Sequence, residues 1–249
     1  MPSAAGPVLV LDTASPTVSV AVAAEGRLLA ERREPIARSS VRLLPMIDEA
    51  LAETGIGLGD LTGLVVLAGP GSFTGLRVGM ATALGLHQAA GVPATAVPTF
   101  EALAAWARDD GLAGRPLFAV VDVLRGEWAV QVFSPAAADA APRPAGEPER
   151  IAAAELLRRT ADAGGRIAGF GVGALGAAGE AGTRARPGAG SEPPAIEAPA
   201  ARAPAAELCE PDALAPAAAR ELSLRPPPWD PSRLTEPLYF RPPAVTLPR

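Results

Sequence analysis

Between Gly69 and Arg77 the chain reads Gly-Pro-Gly-Ser-Phe-Thr-Gly-Leu-Arg, after the apolar run Leu64–Ala68 and at the head of a helical pattern from Phe73 to Ala90. A glycine-rich turn between strand and helix is a place for phosphate, because bare amides and a helix N-terminus attract anions. The spacing fits neither common template. A Walker loop continues from its last glycine into Lys-Ser/Thr, and here Gly75 is followed by Leu76-Arg77. The dinucleotide fingerprint needs a glycine three residues after Gly71, where Thr74 stands.

The other residues able to do chemistry are sparse. His87 is the only histidine, on a mostly apolar helix, which favours a packed, hydrogen-bonded side chain and rules out a two-histidine metal site within this chain. Ser72 has no neighbouring base and no Gly-x-Ser-x-Gly frame. Cys209 sits between acidic neighbours, which raises a thiol pKa. Asp122 and Glu127 flank a turn that also carries Arg125, a set read as a surface or interlobe ion pair unless it faces a cleft. No catalytic residue and no metal ligand is expected in this chain.

Composition narrows the function classes. All 22 basic residues are Arg, so chemistry that depends on Lys is excluded. A net charge of -5 without any basic run argues against the chain alone gripping nucleic acid. The lone Cys209 cannot form an internal disulfide, which fits a reducing cytosol. The first apolar stretch leads straight into Asp12-Thr13, as a strand does and a signal peptide does not. No segment approaches a membrane span. A cytoplasmic protein with no membrane contact is expected. The 28 prolines and the abundance of Ala and Arg read first as the mark of a GC-rich genome.

The elements that must position these residues follow from periodicity. Val8–Asp12, Thr17–Val22 and Arg27–Glu31 read as strands, the last two forming a hairpin through Glu25-Gly26. A helix capped by Ser39 or Ser40 carries Leu43, Leu44, Ile47 and Leu51 on one face, with Pro45 in its first turn or at a kink. Then come strand Leu64–Ala68, helix Phe73–Ala90, strand Val92–Val97 and helix Phe100–Arg108. The order βββαβαβα predicts a mixed sheet covered by helices, the ribonuclease-H-like layout of actin-type ATPase lobes.

A second, smaller lobe is expected over 111–249, after a first lobe over 1–110. It holds strands Leu117–Asp122, Glu127–Phe133 and Arg166–Phe170 and a helix Ala152–Ala161. One or two helical pieces are expected over Glu207–Leu222, and the tail returns to the body near Pro237–Phe240. Segments 135–150 and 183–206 are Ala/Pro/Glu-rich and read as loops. In actin-type lobes the end of the first strand carries an Asp for the metal–nucleotide complex. Asp12 and Thr13, with Gly69 and Gly71, are therefore the candidate nucleotide-binding residues. A hydrogen-bonded turn is the competing reading, because no glycine follows Asp12 until Gly26.

Gly75, Gly79 and Ala83 form a stripe of small side chains on the long helix, beside Leu76 and Met80. Each mid-helix glycine costs about 1 kcal/mol relative to Ala, so something must pack closely on that stripe. Two occupants are open: this chain's own sheet and neighbouring helix, or a helix of another chain. The preferred reading is the partner helix, and it predicts that Leu at Gly75 or Gly79 breaks association without unfolding the protein.

The blocks Leu11–Ser15, Leu43–Asp48, Gly69–Gly79, Asp122–Glu127 and Pro237–Val245 together resemble the TsaB (YeaZ) family. The similarity is dense over 8–133 and returns at the tail, and the Gly69–Gly79 block is its most specific part. The resemblance implies two actin-like (ASKHA) lobes and a non-catalytic dimerization subunit. Its partners would be a TsaD-type subunit, holding the metal and the transferase chemistry, and a TsaE-type ATPase. The complex would modify adenosine 37 of tRNA to threonylcarbamoyladenosine (t6A), using ATP and a metal through the partner subunits. This chain would hold no cofactor and meet tRNA indirectly.

TsaD-type proteins carry paired histidines on the first helix, and the matching stretch Arg38–Leu44 has none. By resemblance, the partner face falls on Leu43, Leu44, Ile47, Leu51, Gly75, Leu76, Gly79, Met80, Ala83 and His87, and a homodimer through the same face is open. The rival readings are an independent ASKHA-type ATPase or small-molecule kinase, and a peptidase, which the lone histidine disfavours.

Overall fold

The computed structural model describes residues 6–35, 39–112, 114–123, 126–135, 140, 143–175, 206–224 and 226–238. Most of the 183–206 segment, Leu124 and Arg125 of the charged turn, part of 135–150 and the tail motif from Tyr239 to Val245 lie outside the described residues.

The first sheet is built from β1 (Val8–Asp12), β2 (Thr17–Ala24), β3 (Arg27–Pro35), β4 (Gly63–Leu67) and β5 (Ala94–Val97), in the order β3-β2-β1-β4-β5. β1 pairs antiparallel with β2 and parallel with β4, so the sheet is mixed as expected. Helices α1 (Ser39–Thr54), α2 (Phe73–Ala90) and α3 (Thr99–Asp109) complete the βββαβαβα order. Pro45 lies inside α1, beyond its first turn. The second sheet contains β6 (Leu117–Asp122), β7 (Glu127–Phe133), β8 (Glu149–Ala152), β9 (Arg166–Phe170) and β10 (Glu207–Cys209), in the order β10-β9-β6-β7-β8. α4 (Ala153–Asp162) precedes β9, and α5 (Ala215–Leu224) follows β10.

Strand periodicity decides what each face covers. On the first sheet Leu9, Leu11, Val18, Val20, Val22, Leu64 and Val66 face α1 and α2, and bury Leu43, Met46, Ile47, Ala50 and Met80. The alternate residues Val8, Val10, Ala21, Ala23, Val65 and Leu67 face α3 and α5. The second sheet turns Leu117, Ala119, Ala129, Phe133 and Ala168 toward those same helices. Its outer face, with Phe118, Val120, Trp128, Val130 and Ile167, packs on Leu156 of α4. The layers therefore run α1/α2, sheet, α3/α5, sheet, α4.

Three expectations change. Glu207–Cys209, read as helical, is a strand parallel to β9, with only the segment from Ala215 helical. Glu149–Ala152, read as the end of a loop, pairs antiparallel with β7. Residues Ala215–Leu224, expected with the second lobe, also pack on the first, ahead of the tail that was expected to return: the Ala215 amide donates to Ser19 Oγ (3.2 Å) and the Gly26 amide to Ser223 Oγ (2.9 Å). The ring of Trp229 lies over Gly63, Leu234 is buried against the α1/α2 core, and the Leu238 amide donates to the Ala68 carbonyl at 2.7 Å.

The glycine stripe of α2 faces inward, which corrects the partner-helix reading. A Cβ on Gly75 would overlap the Thr13 carbonyl oxygen, and one on Gly79 would overlap Thr13 Oγ1 and press on Val66. Both glycines are required by this chain's own β1–β2 turn, and nothing is left over for a partner to fill. Gly85, two turns further, has open space around its Cβ position. Gly75→Ala is expected to lower unfolding free energy in urea by about 3 kcal/mol, through overpacking against backbone. Gly85→Ala should raise it by about 0.5–1 kcal/mol, from helix propensity alone.

Candidate functional site

Two surfaces flank the wedge of Thr13 under α2. One is the outward face of α1 and α2, the other the cleft between the sheets.

On α1, Leu43, Ile47 and Leu51 are buried on the first sheet, whereas Leu44 is 54% and Val41 70% exposed. Large apolar side chains so far out of the core are few among the described residues; the two others, Leu29 and Leu224, are scattered on β3 and α5. On α2, Gly75, Leu76, Gly79, Met80 and Ala83 are buried. Thr74, Arg77, Ala81, Gly85 and Gln88 point to solvent. Those outward residues are mostly small and carry a single charge. The Arg77 guanidinium lies 4.0 Å from the centre of the Phe73 ring.

Of the ten residues expected at the partner face, Leu44 is exposed and His87 half-buried, and the other eight are packed inside the protein. His87 has a structural task. Its Nδ1–H donates to the Val92 carbonyl at 2.7 Å, closing the helix end where Gly91 takes a left-handed conformation. Val41 was missed because a single exposed valine near a helix start carries no periodic signal. The opposite flank of α1 is polar and tied down. Arg32 pairs with Glu49 (3.4 Å) and Glu53 (2.6 Å), and Arg42 with Glu34 (3.2 Å) and Glu49 (3.3 Å). These bridges are half-exposed and screened by solvent, so they add little to stability, but they orient α1 on β3.

The cleft has a volume of about 370 Å³ and is walled by Ala14, Pro16, Pro70, Ser72, Val121 and Phe170, with Asp122 at its edge. Of the four residues proposed for nucleotide only Gly71 is among the lining; Asp12, Thr13 and Gly69 are buried behind it, and the backbone groups of the turns around it are largely satisfied within the chain. The Ser72 amide donates to the Ala14 carbonyl (2.8 Å), and the Gly75 amide to Ser72 Oγ (3.2 Å). A Cβ on Gly71 would overlap the Ala14 carbonyl. Gly69 has φ 102°, its peptide to Pro70 is cis, and its carbonyl accepts from the Thr99 amide at 2.7 Å. Across the cleft the Gly171 amide is taken by Glu210 (2.8 Å). Carbonyl oxygens thus occupy ground that a phosphate would need, and among the described residues no cation lines the cleft. Among the described residues no group of three or more His, Cys, Asp or Glu side chains could hold a metal. No helix of the described residues is long and apolar enough to cross a membrane.

Asp12 is fully buried and accepts from the amides of Ala14 (2.9 Å) and Ser15 (3.1 Å) on one oxygen. Its other oxygen has no hydrogen-bond partner among the described residues. Burial pushes the carboxyl up to about 6, against the pull of Ser15 and the two amides. The turn is therefore the competing reading's Asx-type turn, made by a carboxylate in a dry site. A raised folded-state pKa means the native protein binds the proton more tightly than the unfolded chain. Stability is therefore highest below pH 4, as far as this group is concerned, and falls by about 3 kcal/mol in all as pH rises through 6 toward 7. Asp12→Asn keeps one acceptor for the two amides and removes the titration. Urea unfolding of that variant should lose this group's slope between pH 4 and 6.

A family model described as TsaD, tRNA N6-adenosine threonylcarbamoyltransferase, matches residues 34–155. An uncharacterized protein of Mycobacterium tuberculosis is 37% identical over 162 residues, covering 58% of this chain and 74% of that protein. The tRNA threonylcarbamoyladenosine biosynthesis protein TsaB of Escherichia coli is 36% identical over 124 residues, 49% of this chain and 53% of that one. The chain thus matches about half the length of that TsaB. The solved structure of YeaZ from Pseudomonas aeruginosa superposes with a TM-score of 0.62 at 25% identity, over 88% of this chain and 90% of that one. The two five-stranded mixed sheets, the Gly69–Gly79 turn and these similarities agree: the chain belongs to the TsaB/YeaZ family.

Proposed function

We propose that this protein takes part in t6A biosynthesis as a non-catalytic subunit, docking the outward face of α1 and α2 on a TsaD-type partner. The observation that carries this reading is the exposure of Val41 and Leu44 on α1, together with the small outward residues of α2, the helix packed against it. An apolar patch flanked by polar residues on an otherwise closed core is the mark of an interaction site. The match to the TsaD family model spans 34–155, which contains both helices. A TsaD-type partner would therefore present a related helix pair, and two such pairs can meet about a pseudo-two-fold axis. Residues with small side chains at Ala81 and Gly85 allow the facing helices to approach closely.

In this reading the partner supplies the metal and the transferase chemistry, and a TsaE-type ATPase joins the pair. The scarcity of catalytic groups in this chain fits such a division of labour. The independent ATPase reading is disfavoured by the capped turn at Ser72 and by the absence of a cation among the described residues of the cleft wall.

A Val41→Glu, Leu44→Glu double variant should weaken co-purification with the TsaD-type subunit by at least ~30-fold, the scale of a hot-spot loss of about 2 kcal/mol. Its melting temperature should stay near that of the parent, since neither side chain is in the core. Depleting the protein from its host should lower t6A in tRNA, measured by mass spectrometry of nucleosides. Normal t6A would overturn the assignment. Titration of the isolated chain with Mg-ATP should give no saturable heat, and saturable binding lost in Asp12→Ala would restore the ATPase reading.

A further inference from the structure

The cleft and the docking face are two sides of one short piece of backbone. Ala14, Ser15 and Pro16 line the cleft, together with Gly71 and Ser72 at the start of α2. On the other side of the same turn, the Thr13 carbonyl bears on Gly75 and the Thr13 hydroxyl on Gly79. The Ala14 carbonyl holds the Ser72 amide at 2.8 Å. Asp12 fixes the shape of the turn through the Ala14 and Ser15 amides. There is no slack between Thr13 and α2, because both glycines are already at contact. A group that enters the cleft and displaces Ala14 must move the first turns of α2 with it, and a packed helix moves as a unit.

We propose that the interlobe cleft is an effector site for a small uncharged molecule, and that the Asp12–Ser15 turn transmits its occupancy to α2. The ligand class follows from the wall. Pro16, Pro70, Val121 and Phe170 are apolar, Asp122 is already engaged, no cation is among the described lining residues, and the Ser72 and Gly171 amides are already used. An anion finds no counter-charge among the described lining residues. The space of about 370 Å³ suits a compact molecule. Linkage makes the effect reciprocal: a cleft ligand that shifts α2 changes partner affinity, and a docked partner changes ligand affinity by the same factor. This step rests on the docking reading for its consequence, while the link from turn to helix stands apart from it.

The test uses a covalent occupant in place of the unidentified ligand. In a Cys209→Ser background, Val121→Cys places one thiol in the cleft wall, to be alkylated with N-ethylmaleimide. Glu147→Cys, an exposed position outside the cleft, serves as the labelled control. Hydrogen exchange of the isolated chain reads the helix, and titration with the TsaD-type subunit reads the docking face. The adduct at 121 is expected to speed exchange over Ser72–Gly79 at least tenfold and to change partner affinity at least fivefold, with neither effect from the control. Phe170→Cys repeats the measurement from a second wall position should Val121→Cys fold poorly. Labelled cleft variants with unchanged α2 exchange and unchanged affinity would overturn the proposal. Faster α2 exchange in a chain whose unlabelled form never binds the TsaD-type subunit would uphold the coupling and remove the docking reading instead.

Discussion

The contact on which the rest of the structure depends is the seating of α2 on Thr13. A helix that begins directly after a central strand can lie close to its sheet only if its inner face is narrow. Gly75 and Gly79 make it narrow, and Thr13 fills what they vacate. The close approach fixes the Gly69–Ser72 turn against Ala14, and so the upper wall of the cleft. It also sets which residues of α2 remain outside. Once 75, 79 and 83 face in, helical geometry turns 74, 77, 81 and 85 out. The docking face is thus the remainder left by an internal constraint.

Much of the fold was legible in the sequence because the strands alternate and the long helices are punctuated. Ser72 caps α2 by accepting from the Gly75 amide, and Gly91 ends it in a left-handed conformation, so Phe73–Ala90 could be read to the residue. β8 and β10 were not legible. They are edge strands of four and three residues, half-exposed, and they exist because β7 and β9 offer free ladders. Propensity in segments that short is overruled by tertiary pairing.

The candidate site was legible in its elements and misread in its orientation. A stripe of small residues says that something approaches closely, but not what. Both faces of α2 carry such a stripe, Gly75/Gly79/Ala83 within and Ala81/Gly85 without, so composition could not rank them. In α1 the adjacent Leu43 and Leu44 had to fall on opposite sides of the buried edge, and only Leu43 belongs to the core. What decided the matter was the location of Thr13, a residue some sixty positions upstream of α2, which no local period reports.

The alanine content also takes on a structural meaning. The layer shared by the two sheets holds Ala102, Ala104, Ala107, Ala215, Ala218 and Ala219 of α3 and α5, facing Ala21, Ala23, Ala119, Ala129 and Ala168 of the strands. Small residues on both sides let two helices fit between two sheets with little side-chain entropy to lose. The seam is reinforced at its edge by Arg108, which pairs with Glu221 and with Asp109 (2.9 Å), and by Arg220 with Asp109 (2.7 Å). Whatever the origin of the Ala-rich and Arg-rich composition, the placement of these residues in this layer is a packing solution. Lobes that share one core layer cannot swing apart as separate bodies. A change in the cleft is therefore relieved most easily through the turns that bound it, which is why the short path from Ala14 through Thr13 to α2 matters more here than any hinge.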